Sequence, residues 1–469
     1  MNSGAIALGI CDGMLIGLVA VGLVLVYRAN QFLNLAHGVL GAVPALLFAK
    51  LVAELGWSQW LALPLVLAVG IATAVAVERI FVAPLRRKGG SNVVLLLLTL
   101  GVSQLLLALT LLPALRPDAN AMAGQGYPVP VDWTVRFGGI NFGGNYVVAV
   151  LLCPLLIAGL TLFLRYSMLG KLIRATASNP QAAQTCGIPP RYVSGVVWAI
   201  AGALATTSAI LSAPSGGLGE SGGLGSVQLL LALGAAAFGA FVSIPMALAG
   251  GLLLGVCNSI VVAETGNAGT ARLVVFVLIL LVITLRGRSI DKVFAIRRST
   301  MDPSAAPGTT IAKARGVIAS NPMRALAIGG LAIGLLLPNL PTFSSQGQRF
   351  ELTLILIYAI VGVSLTMLVG WGGQLSLGHI AIVGVGAFVA ARLAGDSYSL
   401  VTIVLLVAAL GAGIAVVIGL PALRVRGLTL AVSTLGFAVV ASEDLFRSEW
   451  FTSSRGRAIP MVPVEILRG

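Results

Sequence analysis

Stretches of about twenty residues without a single charge recur along the chain. NVVLLLLTLGVSQLLLALTLL (92–112) and LVTIVLLVAALGAGIAVVIGL (400–420) are two of them. A run of that length, wound as a helix at ~1.5 Å per residue, matches the ~30 Å hydrocarbon core of a bilayer. In lipid a backbone must satisfy its own polar groups, which leaves helices or closed barrels. The runs are continuous rather than alternating, so they predict helices. Only 9% of residues are charged, against about a quarter in a soluble domain. The expected fold is an all-α polytopic membrane protein. Many of its 58 glycines lie inside the apolar runs, where they let helices approach closely.

Helices are expected near 5–27, 33–54, 59–84, 92–114, 145–165, 191–213, 226–242, 245–263 and 270–286. A second group is expected near 325–339, 350–370, 376–394, 399–421 and 428–446. The segments 33–54 and 226–242 have the character of broken or re-entrant helices. The net charge of +14 falls mainly in a few loops, which points to cytoplasmic segments rather than to nucleic acid. Three loops are basic: Arg86–Lys88, the stretch 165–191, and 286–324. Helix parity places all three on the cytoplasmic side and the N-terminus outside. The stretch 288–324 contains RRSTMDPSAAPGTT and reads as a basic linker. It divides the chain into a first membrane unit, 1–287, and a second, 325–469. Nothing at the N-terminus has the basic start of a cleavable signal. Cys11, Cys153, Cys186 and Cys257 are too scattered for a metal site or disulfide framework.

The chain has two histidines. His37 lies in LNLAHG and His379 in LSLGHI. Superposing them aligns VGLVLVY (21–27) with VSLTMLV (363–369), and LGAVPA (40–45) with IVGVGA (382–387). Further on, LRRKG (85–89) falls on LRVRG (423–427), and TLG (99–101) on TLG (434–436). The two units are therefore parallel repeats, related by an axis along the membrane normal. Each histidine sits at a joint between helices, with Asn34 or Ser376 just ahead as a cap. A proton relay or a metal pair is one reading. A histidine that hydrogen-bonds backbone at a break is the favoured one, since no carboxylate or cysteine is near in sequence.

Residues 179–187 form a short capped helix on the basic side. Asn179 suits the N-cap, Pro180 the first helical position and Gly187 a left-handed stop, with Pro189 and Pro190 following.

With these segments in view the chain resembles the bacterial branched-chain amino acid ABC transporter permeases. Residues 8–290 resemble the LivH-type subunit through NLAHG (34–38), ERIFVAPLR (78–86), RATASNPQAAQTCGI (174–188) and SIPMALAGGLLLG (243–255). Residues 350–460 resemble the front part of the LivM-type subunit. The motifs are LTMLVGWGGQLSLGHIAIVGVGAF (365–388) and LPALRVRGLTLAVSTLGF (420–437). The resemblance implies an importer permease whose ATP and magnesium are bound by two separate ATPase subunits. It also implies an extracytoplasmic solute-binding protein. A LivM-type unit is longer than the matching part here. Either the chain continues or a second permease chain completes that half.

The resemblance assigns the 174–188 loop as the coupling element, with Arg174, Asn179, Pro180, Ala182, Ala183 and Gly187 as its key residues. Where this family tends to carry glycines ahead of Ser-Ile-Pro, this chain has Ala240 and Phe241, a change expected to alter that corner. No phosphate-binding loop occurs in the sequence, so no ATPase activity is expected of this chain. Asp12, Asn34, Ser103, Gln104, Thr206, Thr207 and Ser376 are polar groups within apolar spans and are candidates for the translocation path. Many such groups bond only neighbouring backbone. Glu78 and Arg79 are expected to pair locally. Urea or short-amide import is the alternative substrate reading. An ion-coupled transporter is disfavoured by the scarcity of buried carboxylates.

Overall fold

The computed structural model describes residues 3–118, 128–129, 131, 133–216, 226–299, 346–372, 374, 376–395, 398–423 and 428–446. The span expected at 325–339 and linker residues 300–324 lie outside these. Among the described residues, ten helical stretches are long and apolar enough to cross a membrane.

In the first unit, α1 (Ser3–Asn30) leads through a 3-10 turn at Leu35–Gly38 into α2 (Ala42–Ala49), which ends in a π-turn at Lys50–Glu54. The 33–54 segment is thus a broken helix. Then come α3 (Gln59–Ala76), a π-segment Val77–Val82, α4 (Ala83–Arg87) and α5 (Asn92–Thr110). After a hairpin of β1 (Val135–Phe137) and β2 (Ile140–Phe142) come α6 (Gly144–Tyr166), α7 (Met168–Ser178), α8 (Pro180–Thr185) and α9 (Pro190–Gly216). The unit closes with α10 (Ser226–Phe238), α11 (Ile244–Thr265) and α12 (Ala268–Ser299). The last helix continues through residues 288–299, where the linker was expected to begin. The second unit has α13 (Gln346–Thr366) with a π-turn at Met367–Trp371, α14 (His379–Gly395), α15 (Leu400–Leu423) and α16 (Leu428–Val440), extended by a π-turn at Ala441–Leu445.

A helix that is apolar all round belongs in a core, and α1 is that core. Leu18, Leu23, Val24 and Val26 are wholly buried. Its closest partner is α11, and glycine makes the approach possible. A Cβ on Gly13 would stand 2.7 Å from Leu252 Cα, and one on Gly251 would stand 2.6 Å from Gly17 Cα. α9 crosses the other side of α1 and also packs on α3.

The two units meet where α12 and α10 pack on α16. Gly436 lets the Phe276 ring and Leu230 close on the backbone of α16. Arg272 of α12 forms an ion pair at 2.7 Å with Asp444 at the end of α16.

The corner after α10 shows what replacing glycine does. Ala240 and Phe241 have φ of +50° and +58°, a left-handed backbone that costs a residue with a Cβ about 1–2 kcal/mol. Phe241 offsets this by burial. It is 1% exposed, and its ring lies 5.7 Å from that of Tyr27.

Candidate functional site

The basic side carries a continuous structure from α6 to α9. α7 was not anticipated; it fills the stretch 168–178, where only a loop was expected before the short helix. Ser167 caps it, accepting from Gly170 N at 2.8 Å, and Ile173, Thr176 and Ala177 turn inward. α7 packs against both α1 and α9.

α8 follows at once. Asn179 Oδ1 accepts from Gln181 N at 3.1 Å and from Ala182 N at 3.0 Å. The helix ends in a Schellman closure: Ile188 N donates to Ala183 O and Gly187 N to Gln184 O. Gly187 has φ +80°, and open space where a Cβ would stand. Ala182 faces solvent while Ala183 is buried. Pro180 sits at the first turn. Arg174 points the other way, donating to Arg165 O at 3.1 Å and so closing the end of α6.

Replacing Gly187 with valine strains the backbone without any clash, because the space is open. We expect a local cost of about 2 kcal/mol and loss of the α8 stop. Gly187→Asn, which tolerates this backbone, should retain most of it. Protease nicking at 185–190 in membranes checks this: it should rise at least several-fold for valine and little for asparagine.

Three residues missed in the sequence tie this loop to the core. Asn30 Oδ1, at the end of α1, accepts from Arg86 Nη1 at 2.5 Å and from Ser194 Oγ at 2.8 Å. One side chain thereby joins α1, α4 and α9. Beside it lies a cavity of about 440 Å³ between α4 and the α8–α9 turn, lined by Glu78, Arg86, Arg87, Gln184, Gly187 and Arg191. Glu78 is buried and acts electrostatically on Arg86, while Arg79 is exposed. Among the described residues no Glu78–Arg79 ion pair forms; Glu78 instead lines the same cavity as Arg86. The signal was available: residues 78 and 86 lie two helical turns apart, on one face.

The two joints repeat the same bonds. Thr99 Oγ1 accepts from Leu35 N at 3.1 Å, and Thr434 Oγ1 accepts from Leu377 N at 3.0 Å. Asn34 Oδ1 caps the first joint, accepting from Ala36 N. His37, wholly buried, donates from Nε2 to Val19 O at 3.1 Å. The histidine therefore bonds a carbonyl of the intact α1, not the broken backbone. In the second unit Ser364 intervenes: it contacts His379 Nε2 at 2.5 Å and donates to Val361 O at 3.0 Å. Val361 is the counterpart of Val19. Ser364 is the counterpart of Gly22, where a Cβ would stand 2.7 Å from His37 Nε2. Glycine lets the first histidine reach α1 directly; serine bridges the same gap in the second. Among the described residues, no group of His, Cys, Asp or Glu could hold a metal.

The path candidates are dispersed. Asp12 accepts from the Tyr146 hydroxyl. Ser103 and Thr207 bond carbonyls of their own helices, at Leu100 and Ala203. Gln104 is exposed on α5. Thr206 is buried against Gly70. Ser376 lines a crevice in the second unit, together with His379 and Thr434.

The chain matches the family described as "Branched-chain amino acid transport system / permease component" over residues 5–284 and 350–467. It belongs to that family. The chain is similar to the BraD permease protein of Pseudomonas aeruginosa, at 28% identity over 54% of this chain and 83% of the relative. It is also similar to a probable LivH permease protein of Methanocaldococcus jannaschii, at 28% over 58% of this chain and 86% of the relative. The high-affinity branched-chain amino acid permease protein LivM of Escherichia coli matches at 34% over 28% of this chain, which covers 30% of that relative. No solved structure matches. The family and the apolar helices make the chain a multi-pass inner-membrane permease of a transport system, not itself an enzyme.

Proposed function

We propose that this chain is the translocating subunit of an ATP-driven importer of branched-chain amino acids. The observation that carries the reading is α8, a rigid, capped helix on the basic face, attached through α7 to the core helix α1. Two ATPase subunits, which bind Mg-ATP, dock on this face. Their closure moves α8, and α7 carries that motion to α1 and α9. The Asn30 knot couples the same displacement to α4. A solute-binding protein delivers the amino acid from the opposite side, and a second permease chain contributes to the pathway. The substrate reading is supported by relatives named for branched-chain amino acid transport, a LivM permease protein among them.

The test is uptake into vesicles carrying the complex with its binding protein. With ATP supplied, leucine, isoleucine or valine should accumulate and compete with one another. Accumulation of urea that excess leucine does not reduce would transfer the chain to amide transport.

A further inference from the structure

The cavity of about 440 Å³ beside the Asn30 knot holds more positive charge than it balances. Arg86, Arg87 and Arg191 line it against one carboxylate, Glu78. Its inner part is fixed. Glu78 is 4% exposed, and Arg86 donates to Asn30 Oδ1 and feels the charge of Glu78. Glu78 thus offsets one of the three guanidinium charges. The other two stand at the rim. Arg87 and Arg191 are exposed, and among the described residues neither makes a hydrogen bond or an ion pair. Two cations lining one hollow repel each other, and an anion between them turns that repulsion into attraction.

The place of the cavity along the membrane narrows the ligand. Arg87 closes the span Gln59–Arg87, and Pro190, just ahead of Arg191, opens the span Pro190–Pro214. The cavity therefore lies where apolar helix gives way to water, at the level of lipid headgroups. Basic hollows between spans on the cytoplasmic side suit anionic headgroups. α9 runs from Pro190 to Gly216, so the positive end of its dipole meets the cavity as well. A guanidinium presents a planar fork that matches two phosphate oxygens at once. The volume is that of a small-molecule site. Its inner residues are buried, so a compact anion reaches them where a folded surface does not.

We propose that this cavity binds a phosphate-bearing anion, with Arg87 and Arg191 closing on its oxygens and Arg86 behind them. The phosphate belongs to an anionic phospholipid or to a free phosphate ion, which offer the same oxygens. Either one ties α4 to the α8–α9 turn. Gln184 and Gly187 line the same cavity, so the bound anion also steadies the end of α8. That consequence bears on transport only through the reading of α8 as the coupling helix; the binding itself does not depend on it.

The test uses the purified full-length chain in an uncharged detergent, with no ATPase or binding protein present, so it is blind to the role of α8. Native mass spectrometry compares bound dioleoylphosphatidylglycerol with dioleoylphosphatidylcholine, and equilibrium dialysis measures radiolabelled inorganic phosphate. Phosphatidylglycerol should occupy one saturable site at least tenfold more tightly than phosphatidylcholine. Arg87→Gln together with Arg191→Gln should weaken that binding at least tenfold. Lys88→Gln together with Lys171→Gln removes two charges from exposed positions that do not line the cavity, and should change it less than twofold. All four side chains are exposed, so both double variants should keep the parent's unfolding midpoint. Phosphate bound by the parent and lost in the arginine variant, without any preference for phosphatidylglycerol, also supports the proposal and makes the free ion the source. No saturable binding of either ligand, or equal losses in the two double variants, overturns it. So does protection of Arg87→Cys from maleimide by added ATPase subunits when neither ligand binds, which would give the cavity to a protein partner.

Discussion

Gly251→Leu should all but eliminate the folded chain from membranes. A Cβ at that position would stand 2.6 Å from both the amide nitrogen and the Cα of Gly17. Carbon contacts settle at about 3.5–4.0 Å, so α1 and α11 would have to part by at least about 1 Å. Neither obstacle can rotate away, because both are backbone. The displacement would break the reciprocal contacts of Gly9 and Gly13 with Val256 and Leu252. Overpacking usually costs about 1–3 kcal/mol; with backbone on both sides the cost should reach or exceed the upper figure. Gly159→Ala is the control. No heavy atom lies near its Cβ position on α6, and helix propensity favours the change by about 0.5–1 kcal/mol. Membrane abundance and the unfolding midpoint in detergent give the comparison. A Gly251→Leu chain as abundant and as stable as the parent would refute the glycine-mediated crossing.

The second large effect concerns the junction of the two units. Arg272→Ala should free the second unit from the first. Asp444 retains 10% side-chain exposure and Arg272 29%. Removing one partner leaves a charge in a mostly apolar contact, which costs about 3–5 kcal/mol when fully buried. The partial exposure of Arg272 places the expected loss near the lower figure, on the order of 3 kcal/mol. A protease site inserted between residues 310 and 320 reports it. After cleavage the parent halves should co-purify, while the Arg272→Ala halves should separate. Exchanging the pair, with Arg272→Asp and Asp444→Arg together, should restore much of the association. If the single variant stays as firmly associated as the parent, the apolar contact of Gly436 with Phe276 and Leu230 carries the junction alone.

The sequence made the spans legible, because uncharged runs have few solutions in lipid. It also made the repeat legible: TLG at 99–101 and 434–436 marked two threonines that accept the same backbone hydrogen bond. The role of those threonines was not readable, since the donors Leu35 and Leu377 lie about sixty residues away and come near only through packing. Ser364 was hidden for the same reason. A serine in a membrane helix usually bonds its own helix, and this one does so while also meeting His379. α7 was missed because its polar residues, Lys171, Arg174 and Ser178, were read as a basic loop, although Leu172, Ile173 and Ala177 give it one apolar face. The β1–β2 hairpin was missed because its strands are three residues long. Phe-Gly-Gly-Ile at 137–140 was the available signal: both glycines have positive φ, as a two-residue hairpin turn requires. In the 174–188 loop the caps at Asn179 and Gly187 were legible, being local. The Asn30–Arg86–Ser194 knot was not, because it joins three helices distant in sequence.

The burial of α1 also has a consequence for biosynthesis. α1 is made long before the helix that packs closest on it. Gly9, Gly13 and Gly17 find their partners at Val256, Leu252 and Leu248, nearly 250 residues downstream. At about 5–20 residues per second, α1 waits roughly 10–50 s in the bilayer before α11 is available to cover it. During that interval its glycine stripe is open to any passing helix. Nascent chains stalled before residue 244 should therefore be the species that membrane quality-control proteases capture.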